Sequence, residues 1–155
     1  VLTGHTCATA NLVVCRTNCL LAVELRLVDD AFLGGGSTFH QNMRGGRLVM
    51  VQGSSAFGKD LPPFTMAAER NAVFGLNIIG LRRAGFKAAQ REEIKVAFRL
   101  LYLSGLNLSQ ALEKAAASDL GELGREFFDF VAEAKKRSVC PYRGKKDRDA
   151  AFGET

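Results

Sequence analysis

Histidine, proline and long apolar runs are scarce in this chain of 155 residues, and each shortage narrows what it can be. No stretch approaches the roughly 18 apolar residues that a membrane-spanning helix needs, so the sequence offers no transmembrane segment. No signal-peptide pattern precedes the first repeats, and a cytoplasmic protein is the simplest reading. The four cysteines, Cys7, Cys15, Cys19 and Cys140, have neither a partnering histidine nor a second cysteine pair at metal-ligand spacing. No metal or other cofactor is expected, and Cys15 and Cys19 read as small apolar fillers. Nucleic acid is not expected as a partner either, because neither a recognised reading element nor an aromatic-basic platform is present. The net charge of +5 nonetheless points to something acidic. Arg44, Arg47, Arg70, Arg82, Arg83, Arg91, Lys95 and Arg99 precede the basic end of the chain, so its positive charge is not only terminal. An acidic carrier protein or a phosphate-bearing small molecule fits.

What the chain has in abundance is a six-residue period. Thr9, Cys15, Leu21, Leu27, Leu33, Phe39, Gly45, Val51 and Phe57 form one column, and seven of these nine are apolar. Four places later runs a second column, apolar or small throughout: Val13, Cys19, Leu25, Ala31, Ser37, Met43, Val49, Ser55 and Leu61. Neither an α-helix nor a long period-2 strand produces that spacing. It describes a triangular solenoid in which each hexapeptide supplies a short strand and a corner, three hexapeptides close a coil, and residues eighteen apart stack. Two of the three prolines form Pro62-Pro63, where the columns stop, and proline cannot donate to a sheet ladder; the pair is expected to end the coil. The chain begins with Val1 already in phase with the repeat and with no polar segment before it, which reads as an N-terminal truncation.

Helical periodicity takes over after the prolines. Leu76 to Ala84, stopped by Gly85, is a short helix candidate, and Ala88 to Ser104 a longer one with Ile94, Ala97, Phe98 and Leu101 on one face. Asn107 with Gln110 resembles a capping box for a third helix. Ser118 or Asp119 is expected to cap a fourth, whose Leu123, Phe127, Phe130, Val131 and Ala134 form an apolar stripe better suited to core packing than to lipid. The expected division is 1–64 solenoid, 65–140 helical, and 141–155 a flexible basic tail.

Stacking arithmetic brings chemistry to one edge. Positions 5, 23 and 41 fall on one line, positions 6, 24 and 42 on the next, and 4, 22 and 40 on the previous one, so His5, Glu24, His40, Gln41 and Asn42 share a corner. An imidazole there beside a fixed backbone N–H suits acyl transfer, the ring taking a hydroxyl proton while the N–H stabilises the oxyanion. Spacing alone leaves open the plainer reading that these are surface polar residues at a corner.

Gly4-His5-Thr6-Cys7, Val28-Asp29-Asp30, Gly34-Gly35, His40-Gln41, Asp60-Leu61-Pro62-Pro63-Phe64 and above all Gly75-Leu76-Asn77-Ile78-Ile79-Gly80-Leu81-Arg82-Arg83-Ala84-Gly85-Phe86 carry a resemblance. Over about residues 4 to 140 the chain resembles the C-terminal half of the acyl-(acyl carrier protein):UDP-N-acetylglucosamine O-acyltransferases. The resemblance implies a truncated left-handed parallel β-helix followed by a C-terminal α-helical domain, and a homotrimer. It implies transfer of a 3-hydroxyacyl group from acyl carrier protein to the 3-hydroxyl of UDP-N-acetylglucosamine, the first step of lipid A synthesis. His5 would be the general base and Val23 would lend its backbone N–H to the oxyanion. His40 and Gln41 match a pair near the sugar nucleotide and the acyl-pantetheine arm. Asn77 and Arg83 match helix residues that reach substrate, the guanidinium of Arg83 being suited to phosphate. Gly53 falls where the family closes the acyl groove with glycine or something bulkier; glycine predicts a longer acyl chain, and a corner glycine chosen for its backbone is the equal alternative.

The chain also departs from the family. Thr6 replaces an acidic neighbour of the histidine, Glu24 a histidine, Ile79 a glutamate and Ala84 a second arginine, and Ala68-Glu69-Arg70-Asn71 is a residue shorter than usual. Glu24 is a candidate for the missing carboxylate's role. These departures keep open a catalytically silent trimeric relative that binds pantetheine or sugar nucleotide. A metal-dependent hydratase on the same solenoid comes last, since it needs three histidines and the chain has only His5 and His40.

Overall fold

The computed structural model describes residues 2–3, 8–9, 13–21, 25–134 and 138–144. Ten two-residue strands follow one another in six-residue steps: β1 Leu2–Thr3, β2 Ala8–Thr9, β3 Val14–Cys15, β4 Leu20–Leu21, β5 Arg26–Leu27, β6 Phe32–Leu33, β7 Thr38–Phe39, β8 Arg44–Gly45, β9 Met50–Val51 and β10 Ala56–Phe57. Strands three places apart pair in parallel with an eighteen-residue register, as Leu20 does with Thr38 and Phe32 with Met50. Three sheets therefore form the sides of a prism: β1-β4-β7-β10, β2-β5-β8 and one that contains β3-β6-β9.

Both sequence columns point inward. From Leu21 to Phe57 the second residue of each strand is buried, and so is every member of the other column from Cys19 to Leu61. The rings of Phe39 and Phe57 stack 5.8 Å apart down the axis. Ser37 and Ser55, buried among hydrocarbon, both donate their hydroxyls to the Gln52 carbonyl, at 3.1 and 2.8 Å, so neither leaves an unpaired polar group. A third column marks the corners. Asn18, Asp30, Gly36, Asn42, Leu48 and Ser54, spaced in multiples of six, all have positive φ between 55° and 72°. Asparagine, aspartate and glycine tolerate that left-handed turn best.

Pro62-Pro63 does not end the pairing. Gly46 donates to the Leu61 carbonyl and Leu61 to that of Arg44, both at 2.9 Å, and β11 (Thr65–Ala68) then pairs in parallel with β9, Met66 opposite Met50. The offset there is sixteen residues instead of eighteen, so the prolines shorten a coil that continues. Sheet pairing stops one strand later, where β12 (Ala72–Leu76) folds back antiparallel on β11 and covers its edge.

Four helices follow: α1 Ile78–Arg83, α2 Ala88–Tyr102, α3 Leu108–Ala117 and α4 Glu122–Glu133. Ile94, Ala97, Phe98 and Leu101 are the buried face of α2, and the Asn107/Gln110 capping box opens α3 as its sequence indicates. The start of α4 differs. Its N-cap is Gly121, and neither Ser118 nor Asp119 serves; Ser118 closes α3 instead. The Glu93 carboxylate of α2 lies 3.4 Å from the Leu123 amide and crowds Gly121 so closely that an added Cβ would stand 2.2 Å from it. A cap supplied from another helix leaves no local signature. Phe128 is buried where Phe130 was expected, and Phe130 lies half-buried beneath the Arg44 guanidinium at 4.5 Å.

Arg44 joins the two parts. Its main-chain N and its Nε each donate to the Asp60 carboxylate at 2.9 Å, an Nη donates to the Phe130 carbonyl in the last turn of α4, and the other pairs with Glu133. Asp60 is 2% exposed, and its main chain also receives the 138–144 segment through the Cys140 amide. Arg47 makes a similar bridge, bidentate to Glu126 and stacked over Phe64 and Phe86. These two arginines are spent within the fold and are not available to an acidic partner. Removing one partner of a buried pair leaves the other charge stranded. Asp60→Ala is expected to cost about 3–5 kcal/mol of unfolding free energy in chemical denaturation. Cys140 is held on its other side by Tyr102, whose hydroxyl donates to the Cys140 carbonyl at 2.8 Å.

Burial pushes the Cys140 thiol up to about 12 from an ordinary 9.0, and burial likewise raises Tyr102. Both groups hold their protons more tightly folded than unfolded, so their contribution is intact below about pH 9 and is lost as the pH climbs toward 12. Urea midpoints measured from pH 7 to 11 should fall above pH 9, and Cys140→Ser should flatten part of that fall.

Candidate functional site

His5, Val23 and Glu24 lie outside the described residues. The other expected site residues fall into two clefts on different sides of the prism. His40 leaves the end of β7, its amide donating to the Phe57 carbonyl of the next coil at 2.8 Å, and its exposed ring places Nδ1 3.4 Å from the Gln41 carbonyl oxygen. With Gln41 it lines a cleft of about 550 Å³ whose floor is the outer side of β7 and β10. Arg70 and Asn71, from the turn between β11 and β12, form the opposite wall. Neither residue is singled out by the stacking arithmetic. The signals in the sequence are that their segment is unusual and that Arg70 is one of the arginines ahead of the basic end.

Asn77 and Arg83 belong to the second cleft, about 800 Å³, formed where α1 runs past the sheet of β6, β9 and β11. Asn77 is buried as the N-cap of α1: its Oδ1 accepts from the Gly80 amide and its Nδ2 donates to the Leu48 carbonyl, each at 2.9 Å. Leu48 is a branched residue at positive φ, 55°, and this bond holds its corner in place. Arg83 stands exposed in the last turn of α1, with no ion-pair partner among the described residues. A second guanidinium, Arg16, lines the same cleft and lies over the Phe32 ring at 5.5 Å. Phe32, Met50, Met66 and Ile79 give the cleft an apolar wall, and Ile79 is 64% exposed. Asp30 also lines the cleft, so two guanidiniums outnumber one carboxylate there, and such a lining can accommodate a ligand with both an anionic group and an apolar part.

Gly53 lines neither cleft. It is exposed at a corner where an added Cβ would stand 2.9 Å from the Gly35 carbonyl oxygen of the previous coil. Close backbone stacking is thus sufficient reason for glycine there.

A family profile described as UDP-N-acetylglucosamine O-acyltransferase, domain 2, matches residues 60–140. The chain belongs to that family. The acyl-(acyl carrier protein)–UDP-N-acetylglucosamine O-acyltransferase of Burkholderia orbicola is 39% identical over 122 residues, which are 78% of this chain and 46% of that protein. Among solved structures, the UDP-N-acetylglucosamine acyltransferase of Bacteroides fragilis is 36% identical with a TM-score of 0.78, covering 86% of this chain and 52% of that one. The UDP-N-acetylglucosamine acyltransferase of Campylobacter jejuni is 28% identical with a TM-score of 0.82, covering 90% and 54%. The chain spans about half the length of the curated relatives it matches. The fold shared with this acyltransferase family is the left-handed parallel β-helix with C-terminal helices.

The double role of Asn77, cleft wall and anchor of α1, separates it from Arg83 experimentally. Losing its cap and the Leu48 bond should lower stability by about 1–3 kcal/mol in Asn77→Ala, whereas exposed Arg83→Ala should stay within about 0.5 kcal/mol, both read by urea denaturation.

Proposed function

We propose that the protein is an acyltransferase that moves a 3-hydroxyacyl group from acyl carrier protein to the 3-hydroxyl of UDP-N-acetylglucosamine, in the cytoplasm, as the first step of lipid A synthesis. His5 is the general base and takes the proton of the sugar 3-hydroxyl as its oxygen attacks the thioester carbon. The Val23 N–H stabilises the oxyanion, and Glu24 supports the imidazolium in place of the acidic residue that Thr6 displaces. Collapse of the tetrahedral adduct expels the pantetheine thiolate, which regains the proton from His5. His40 and Gln41 contact the acyl-pantetheine and sugar end; Asn77 and Arg83 take the nucleotide; Gly53 leaves room for a long acyl chain.

The observation that carries this reading is that the chain belongs to the acyltransferase family; the residues proposed to meet substrate line two clefts on separate sides of one prism. A single copy does not bring His40 and Arg83 to one cleft. A second copy packed beside the first closes the gap, and three copies around an axis repeat the arrangement, so a homotrimer is part of the proposal. Thr3 pairs with Leu21 and Ala8 with Arg26 in the same eighteen-residue register as the coils that follow.

The second reading, a silent relative that binds pantetheine or sugar nucleotide, is favoured by one observation: exposed Ile79 puts a hydrocarbon where the nucleotide cleft would use a polar group. Incubating the complete gene product with UDP-N-acetylglucosamine and a panel of 3-hydroxyacyl carrier proteins decides between them. Acylated nucleotide seen by mass spectrometry, falling at least 100-fold in His5→Ala, is the expected result. A trimer that binds nucleotide and forms no product would establish the second reading.

A further inference from the structure

The turn between β11 and β12 runs through Glu69, Arg70 and Asn71 and closes on the Ala68–Ala72 pair. Two of its three residues have left-handed backbone, Glu69 at φ 59°, where a glutamate is strained, and Asn71 at φ 51°. Left-handed backbone costs energy at any residue with a Cβ, and it persists only where the surroundings over-determine it. They do so here. The Glu69 amide donates to the Ser55 hydroxyl at 3.0 Å and the Asn71 amide to the Ala56 carbonyl at 3.0 Å. Asn71 Oδ1 accepts from the amides of Gly58 and Lys59 at 2.7 and 3.2 Å. What this frame holds out at its apex is Arg70, bridged to Ala56 through the main chain and set in the wall of the His40 cleft.

The charges around it are lopsided. The cleft lining holds the Arg70 guanidinium and the His40 imidazole and no carboxylate. The neighbouring carboxylate, Glu69, is engaged by Arg143 at 3.1 Å, while Arg70 is exposed and has no ion-pair partner among the described residues. The arginines that serve the fold, Arg44 and Arg47, are each satisfied by carboxylates. A guanidinium on a rigid, strained turn, left without a carboxylate beside amide side chains, is built for an anion from outside, and its planar fork matches phosphate oxygens.

We infer that Arg70 binds a phosphoryl group of the ligand that occupies the His40 cleft. The inference rests on the acyltransferase reading for the ligand's identity. That reading offers two sources of the same chemistry, the diphosphate of the sugar nucleotide and the phosphate of the carrier protein's pantetheine arm. The test is calorimetric titration of the complete gene product and of Arg70→Gln with UDP-N-acetylglucosamine and with pantetheine 4′-phosphate, each beside its phosphate-free counterpart, uridine and pantetheine. The expected result is that Arg70→Gln weakens one phosphorylated ligand at least tenfold and leaves its phosphate-free counterpart unchanged, which also identifies the source. Equal weakening of a ligand and its counterpart would mean that the turn has only a structural role and would overturn the inference, as would no change in either. If the unaltered protein forms acylated nucleotide while Arg70→Gln keeps every affinity, the inference alone fails. If the unaltered protein binds neither phosphorylated ligand and forms no product, the acyltransferase reading fails with it.

Discussion

Closing a coil in eighteen residues is the constraint from which the rest of the structure follows. Three strands of two residues leave a narrow interior that buries two side chains per hexapeptide, and Phe39 stands over Phe57 where the small Ser37 and Ser55 occupy the adjoining positions. The same closure forces a sharp turn at every third of a coil, and the backbone meets it with a left-handed residue at 18, 30, 36, 42, 48 and 54. Corners then stack on corners at backbone distance. A Cβ on Gly34 would lie 2.3 Å from the Gly53 amide nitrogen, and one on Gly46 would lie 2.5 Å from Pro63. Polar side chains that face outward align one per coil, because equivalent positions stack eighteen residues apart. Function on such a scaffold is a matter of which lines carry polar groups.

Period carried most of what could be read in advance. The two inner columns, the buried face of α2 and the capping box of α3 depend on neighbours within one turn or one coil, and local pattern encodes them directly. Contacts between distant segments are another matter. Arg44 and Arg47 look like free positive charge in the sequence, yet their partners Glu133 and Glu126 lie 89 and 79 residues away. Gly121 has no side chain to accept from the first helical amides, and Glu93 of another helix supplies the acceptor. Pro62-Pro63 removes two donors from the ladder, but the loss is absorbed by a shortened coil, a tertiary adjustment that no local rule announces. The corner column of Asn18, Asp30, Gly36 and Asn42 was legible, since those are the residue types that accept positive φ, and Leu48 and Ser54 obscure it.

Of the candidate site residues, those that are described, Gly53 apart, were legible as cleft residues to a similar depth. His40 with Gln41 and Asn77 with Arg83 occupy cleft walls, and stacking arithmetic or family resemblance finds each pair. What neither finds is that the pairs sit on different sides of the prism, because that depends on α1 docking against the sheet of β6 and β9 through Asn77 and Leu48. Arg16 and Arg70 escaped for a related reason. Each is an ordinary exposed arginine by composition, and acquires meaning only from the cleft it borders.

Net charge is therefore a poor guide to what this surface binds. The excess of five positive charges is a sum over arginines in unlike circumstances. Arg44 and Arg47 bridge solenoid and helices through short contacts to carboxylates, so their field is cancelled where it arises. Arg99 and Lys95 share Glu92 along α2, a contact that water screens. Arg16 with Arg83 in one cleft, and Arg70 in the other, have no such partner among the described residues. Concave walls with apolar sides focus field lines, so these few uncompensated guanidiniums set the potential that an incoming anion meets. Each cleft thus holds guanidinium charge that no ion pair among the described residues cancels, Arg16 and Arg83 beside Asp30 in one and Arg70 in the other. A fold that fixes one of them with α1 and the other with a strained turn keeps those charges apart within a chain and in place for a ligand.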